Sequence, residues 1–444
     1  MQRPWKNISE DASQFAFNLL IDDEILNLNL SAEDTTFIRF NKSKVRQLSE
    51  VEQCTLSLDL YWKSKKYSKS FNLSRNQKSN EQLIRENLDE MKRVVRELPD
   101  DPYIALPENN GESVTENSGE LITNEAFLNL ISENCASYDL AGVYAAGKTC
   151  RANANSLGQK HWYSGDSFSF DFSLYSAKEK AVKGSYGGAN FKSEDCLKAI
   201  EDCAQALKVM ERERKVLSPG KYRCYLAPAA LQEIVDIMRW HGLSAGAHQR
   251  GECALGLLKD GKRKLSPKFS MLEDFSLGLS PRFNERGEVF AESMEIIKNG
   301  ELKNLFVSSS TAKEYGLESN YASDRECHRS ARILAGNLKR EDILKELGTG
   351  LYLSNLHYLN WSDKQKARIT GMTRFGCLWV ENGEVVGPIK DLRFDETLYH
   401  LFGDGLLELT EFVQTHVETM TYGERHIGGT ELPGILVKDM SFTL

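Results

Sequence analysis

A Gly-x-Ser-x-Gly runs through Gly242-Leu243-Ser244-Ala245-Gly246, the spacing that lifts a nucleophilic serine on a sharp strand-to-helix turn. Here the residues before it read as a helix, so the elements come in the wrong order. The motif reads as a glycine-rich turn that ends that helix. Cys253, Cys327 and Cys377 lie near basic residues, and Cys327 directly precedes His328. A reactive thiolate needs a base or a positive field facing it, which adjacency in sequence does not supply, and all three read as buried apolar residues. Gly184-Ser185-Tyr186-Gly187-Gly188 lacks the spacing of a phosphate loop and reads as a bend in a sheet. His357 and His416 have no partner at ligand spacing.

Composition narrows the field. In 444 residues, 56 basic against 64 acidic side chains leave a formal net charge of -8, which repels nucleic acid and anionic membranes as general partners. Nine cysteines without a Cys-x-x-Cys make no disulfide framework. No signal-type apolar core follows Met1, and no stretch has the length a bilayer span needs, so a cytoplasmic protein is expected.

The elements that must position any site alternate between helical and extended periods. Residues 10–26 read as a helix with apolar Phe15, Phe17, Leu19, Leu20 and Ile25. From 28 to 73 the period is two, with Cys54, Leu56, Leu58, Leu60 and Trp62 facing one way, which predicts antiparallel strands with one wet face. A helix is predicted from a Ser79 cap to Pro99, and residues 100–120 read as a surface loop. A helix over 124–135 leads into strands at 140–146, 149–155 and 167–176, the last on the alternation Phe168, Phe170, Phe172, Leu174. Ser193 is expected to cap a helix to about residue 214, with Cys196 and Cys203 on one face. Leu217-Ser218-Pro219-Gly220 is the expected domain boundary. Beyond it come a strand at 222–226, a helix at 228–241, and a strand-rich remainder with helices near 311–315, 339–347 and 406–417. Asn299-Gly300 and Asn382-Gly383 are each flanked by apolar runs and predict two-residue hairpins with positive φ at both turn positions. Residues 351–358 read as a strand. The fold class is α+β: residues 1–218 form a mixed half with an antiparallel sheet and helices, and 219–444 a strand-dominated half. The apolar run 432–437 is expected to bury against another subunit.

Residues 348–394 hold small residues and turns in a particular order. It runs Gly348-Thr349-Gly350-Leu351-Tyr352, Ala367-Arg368-Ile369-Thr370-Gly371-Met372-Thr373-Arg374, Glu381-Asn382-Gly383-Glu384, Gly387-Pro388 and Leu392-Arg393-Phe394. This resembles the C-terminal signature of the TldD/PmbA family of intracellular, peptidase-related proteins. Asn155-Ser156-Leu157-Gly158 and Asp101-Pro102-Tyr103 resemble weaker N-terminal markers of the same family. The resemblance implies one of two subunit types. The TldD type carries His-Glu-x-x-x-His on the helix after the 222–226 strand, with a C-terminal cysteine completing the zinc shell; the TldE/PmbA type does not. Residues five apart on a helix point about 140° apart and converge on one ion only if the helix is distorted.

In this chain the matching window is Asp236-Ile237-Met238-Arg239-Trp240-His241. Asp236 stands at the first ligand position, Ile237 at that of the general base, and only His241 survives. The cysteine position falls near Ile427, and no cysteine follows Cys377. Residues 282–287 also depart from the family's acidic Phe-Asp-x-Glu-Gly.

The resemblance therefore implies a TldE/PmbA-type subunit with no cofactor of its own, zinc belonging to a TldD-type partner. It would pair with that partner or with itself around a cavity for unfolded or extended peptides, a pseudoenzyme supporting proteolysis. Gly348, Thr349, Gly350 and Leu351 are the candidate peptide-binding strand, because a glycine-bounded strand with an exposed edge can accept an added strand; an ordinary internal strand is the plain alternative. Two other functions stay open. One is an active metallopeptidase with a degenerate site of Asp236 and His241, helped by His248 or His426. The other is a stand-alone peptide- or protein-binding module, in line with the older view of the family as gyrase modulators.

Overall fold

Two sheets, joined by the chain near residue 219, organise the computed structural model, which describes residues 3–176 and 180–443. The first follows from long period-two runs. β1 (Glu24–Asn41), β2 (Lys44–Trp62) and β3 (Lys65–Leu73) form an antiparallel meander, and β5 (Asp139–Asn155) and β6 (Lys160–Tyr175) extend it. β7 (Ala181–Gly188) pairs antiparallel with β6, and β4 (Glu112–Asn117) pairs with it in parallel. One face of this sheet carries α1 (Trp5–Phe17) and α2 (Gln77–Glu97), which bury Leu28, Leu30, Leu56, Leu58 and Met91. A second core gathers Phe127, Tyr144, Phe168, Phe170 and Phe172 beneath α3 (Asn124–Asn134) and α4 (Ser193–Met210). Phe127 stacks on Tyr144 with ring centroids 3.8 Å apart.

The second sheet starts with β8 (Gly220–Leu226), followed by α5 (Pro228–Ile237), α6 (Ala245–Gln249) and α7 (Gly256–Lys259). β9 (Met271–Asp274), the hairpin of β10 (Ser293–Lys298) and β11 (Glu301–Leu302), and β12 (Ser330–Ile333) form one flank, with α8 (Ser309–Tyr315) beside them. After α9 (Ile343–Leu347) come β13 (Gly350–Leu353), β14 (Asn355–Asp363), β15 (Arg368–Arg374), β16 (Leu378–Glu381), β17 (Glu384–Pro388) and β18 (Arg393–Thr397). β19 (Leu406–Val417) and β20 (Gly429–Phe442) complete it. β20 pairs with β8, β12, β18 and β19 and runs through the largest core. The fold is α+β, as the alternation of periods requires.

Several expectations change. Residues 406–417 are a strand, not a helix: their apolar positions suit either period, and pairing along β20 decides the matter. The 100–120 segment contains β4. The first helix ends at Phe17, and the cap of α2 is Asn76, whose side chain accepts from Ser79 N. Ser193 is the first residue of α4, preceded by Lys192 with no side-chain cap. The helix expected over 228–241 ends at Ile237. Residues 351–358 divide at Ser354 between β13 and β14. Both Asn-Gly hairpins form, with φ of 48° and 78° at Asn299-Gly300 and 52° and 80° at Asn382-Gly383. The apolar run 432–437 lies at the centre of the sheet, with Leu432, Ile435 and Val437 fully buried, so it supplies no face for another subunit.

The halves are pinned by polar contacts. The Glu285 carbonyl accepts from the side-chain amides of Asn27, Asn29 and Asn153 at 2.9, 2.7 and 3.1 Å. Arg425, 2% exposed, donates to Gly147 O at 3.3 Å and Ser167 Oγ at 2.9 Å, while its own amide donates to Glu33.

Candidate functional site

The C-terminal end of α5 opens into a cavity of about 1050 Å³. Pro228 starts the helix, where its missing N–H costs nothing, and Leu231, Ile234 and Val235 anchor it in the core. Past Ile237 the chain turns tightly. His241 adopts φ of +63°, and Gly242 N donates to Met238 O at 2.9 Å, an approach that a side chain on Gly242 would block. Asp236, Ile237 and His241 all line the cavity. The five-residue interval does not run on a helix, however, because the helix has already ended.

The segment around the missing cysteine reaches the same cavity, with Glu418, Met420 and His426 in its wall. The fold thus brings Asp236, Ile237 and His241 of the one window and His426 of the other segment to one place. His248 is not among the lining residues; its Nε2 lies 3.6 Å from Asp260.

Gln232 Nε2 donates to Asp236 at 2.9 Å while its Oε1 accepts from Thr430. Burial pushes Asp236 up to about 6, against that hydrogen bond, and burial together with the Asp236 charge pushes Glu233 up to about 7. Arg239 pairs with Glu418 at 3.0 Å. Lys364 Nζ lies 3.5 Å from His241 Nδ1, and burial followed by that ammonium holds His241 below its ordinary value. Glu233, Asp236 and Glu418 also border a second cavity of about 470 Å³ between the two sheets.

These residues do not fit a zinc ion. Ile237 offers neither ligand nor base, and a lysine ammonium faces the histidine. Among the described residues no three His, Cys, Asp or Glu side chains converge on a metal-sized site.

The other nucleophile candidates are engaged elsewhere. Ser244 Oγ donates to Glu326 at 2.5 Å and accepts from Ala247 N, capping α6. Cys253 donates to Gly242 O, and burial pushes it up to about 12. Cys327 lines the cavity beside Arg239, yet burial raises its thiol. His328 is buried and pushed down to about 3, hence neutral.

Gly350 and Leu351 lie in β13, which pairs with β8 on one edge and β16 on the other. A peptide has no free edge to join there, which corrects the expectation of an exposed strand. Gly348 O instead accepts from Gly383 N, and Thr349 Oγ1 from Asn382 N, so both brace the hairpin tip. Glu326, Lys364 and Arg325, all in the cavity wall, escaped sequence reasoning because nothing in their spacing distinguishes them from solvated charges.

The two-sheet α+β fold, whose cavity lies where the C-terminal end of α5 meets a late loop, is one that known proteins share. Residues 219–444 match the PmbA/TldA metallopeptidase C-terminal domain, and the chain belongs to the TldD/PmbA family. The Escherichia coli O157:H7 metalloprotease PmbA is 33% identical over 199 residues, 43% of this chain and 41% of that protein, so the match spans about two fifths of the curated relative. Two solved structures share the fold. TldE from Thermococcus kodakarensis has a TM-score of 0.75 at 13% identity, covering 99% of this chain and all of that one. A candidate modulator of a DNA gyrase from Thermotoga maritima MSB8 has a TM-score of 0.75 at 14% identity over the same shares.

Proposed function

We propose that this chain is a TldE/PmbA-type subunit without hydrolytic chemistry of its own. It holds an extended stretch of unfolded peptide in the cavity at the end of α5 and supports cleavage by a TldD-type partner. What supports this reading is the wall of that cavity, lined by Asp236, Ile237 and His241, the residues that the resemblance matches to His-Glu-x-x-x-His. An isoleucine takes no proton from water, and a divalent cation on His241 Nδ1 would sit against the Lys364 ammonium.

The space supports a chain-like ligand. About 1050 Å³ is already at the top of the range for compact ligands, and the Glu233–Asp236–Glu418 border leads on to the second cavity. Exposed apolar side chains support a covering subunit, either the partner or a second copy. Trp240 and Met420 in the wall are 61% and 52% exposed, and Tyr422 is 90% exposed.

Metal analysis of the purified protein, run beside a proteolysis assay, tests the reading. Zinc should stay well below stoichiometric in the parent and in His241→Ala alike, and peptide should be cleaved only when a TldD-type chain is added. Stoichiometric zinc that is lost in His241→Ala, with cleavage by this chain alone, would overturn it.

A further inference from the structure

Three cations stand on three separate segments around the cavity at the end of α5: Arg250 just after α6, Arg325 in the loop before β12, and Lys364 in the turn after β14. Lys364 Nζ lies 3.5 Å from His241 Nδ1, and the charge of Arg250 also reaches His241, as do the opposing charges of Glu252 and Glu326.

Most carboxylates in the same wall already have donors. Glu326 accepts from Ser244 Oγ, Gly246 N and Ser308 N at 2.5, 2.8 and 2.9 Å. Glu418 takes Arg239. Asp324 takes Arg286 and Ser310, and Asp236 takes Gln232. Glu233 belongs to the far wall, shared with the second cavity, where Lys183 acts on it.

The cations are not matched in this way. Arg325 is exposed and makes no hydrogen bond or ion pair among the described residues. Arg250 has one loose contact, 3.7 Å to Glu252, with both side chains about half exposed. The recorded partner of Lys364 is His241 Nδ1. An ammonium can only donate, so Nδ1 accepts and the neutral ring carries its proton on Nε2, which adds another donor. The mouth therefore presents two guanidinium groups, an ammonium and an imidazole N–H; the carboxylates of its near wall already have donors, and Glu252 beside Arg250 is held only loosely, at 3.7 Å.

We propose that this mouth captures a carboxylate of the peptide held in the cavity, with Arg325 and Arg250 providing forked donors and Lys364 and His241 closing the shell. The inference rests on the peptide-holding reading above and adds its polarity. An anionic group sits at the Lys364 side, so the chain enters in a fixed direction. Two sources share this chemistry, a C-terminal carboxylate and an aspartate or glutamate side chain.

Fluorescence anisotropy on the full chain separates them, using one short unstructured peptide in three forms. These are a free C-terminal acid, the same peptide amidated, and an amidated version with one internal aspartate. At low salt at least one carboxylate form should bind about tenfold tighter than the amidated parent, as charge-assisted hydrogen bonds provide, and the gap should narrow with added salt. A gain for the free acid alone assigns the terminus, and a gain for the aspartate form alone assigns a side chain. The gap should shrink in Arg325→Gln and vanish in Arg325→Gln/Lys364→Gln, with thermal melts unchanged for the exposed Arg325. Equal binding of all three forms would overturn the carboxylate site while leaving the peptide reading intact, and so would a gap that survives the double variant. If no form binds at all, the peptide reading itself falls and takes the inference with it.

Discussion

Gly350 and Gly348 lie two residues apart, yet a side chain should be refused at each for a different reason, and the difference is measurable. At Gly350 the backbone is not in the left-handed region, so the objection is steric. A Cβ there would come closer than 3.0 Å to the Arg223 carbonyl oxygen, 3.0 Å to its carbon and 3.1 Å to Leu347 Cδ1. Arg223 belongs to β8, hydrogen-bonded to β13 on one side and β20 on the other, so it cannot retreat without parting a central sheet. Gly350→Val adds two methyl groups to that overlap and should cost about 3 kcal/mol or more. Gly348 has nothing within 4 Å of its would-be Cβ but holds φ of +65° with ψ of -104°. Gly348→Ala should therefore lose only about 1–2 kcal/mol, from backbone strain alone. Urea unfolding followed by tryptophan fluorescence reads both. With an m-value of about 3 kcal/mol per M, Gly350→Val should lower the midpoint by about 1 M or more, and Gly348→Ala by roughly half that or less. A Gly350→Val protein as stable as the parent, or a Gly348→Ala protein less stable than Gly350→Val, would refute the packing argument.

Other outcomes follow from buried charge and exposed apolar surface. Glu233, Asp236 and Glu273 have native values near 7, 6 and 7, above the 4.5, 3.8 and 4.5 of unfolded carboxylates. The native state therefore holds more protons than the unfolded one between about pH 4 and 7, and stability falls as pH rises through that window. Glu233→Gln should raise Tm at pH 8 by roughly 2–4 °C, the equivalent of about 1 kcal/mol, and change it little at pH 4; equal shifts at both would refute the assignment. Arg425→Met should cost about 1–3 kcal/mol in a denaturation series, because it leaves the Gly147 carbonyl and the Ser167 hydroxyl in a buried site without their donor; a variant as stable as the parent would refute that. Light scattering should give about 100 kDa, twice the 50.2 kDa chain, because a subunit covering Trp240, Met420 and Tyr422 removes that apolar rim from water; a monomer that also ignores a TldD-type chain would refute it.

The long strands were legible because alternation such as Phe168, Phe170, Phe172, Leu174 leaves few other options, and all four are buried. The Asn-Gly hairpins were legible because few residues other than Asn and Gly accept positive φ in succession. β4 was not, since Glu112–Asn117 is largely polar and exposed, and its partner β6 begins more than forty residues later. Gly350 passed for an edge residue because the strand that flanks it, β8, lies far upstream. The family resemblance led to Asp236, His241 and the 425–427 segment, and Asp236, His241 and His426 line one cavity. The arginines and lysine of its mouth carry no local signature, and their meaning comes only from which carboxylates nearby are already satisfied.

The most connected strand of the second sheet is also the last in order. β8 emerges from the ribosome roughly two hundred residues before Ile435–Val437, the part of β20 it must pair with, and β12 and β18 wait for the same strand. During synthesis, then, the first sheet can close early while the second remains a set of apolar strands without a centre. That half should fold late and all at once, leaning on holdase chaperones until β20 arrives. A nonsense or frameshift lesion between the end of the first half and residue 429 would leave no partly working second half behind. It would leave a folded first sheet trailing a long, sticky, protease-sensitive tail.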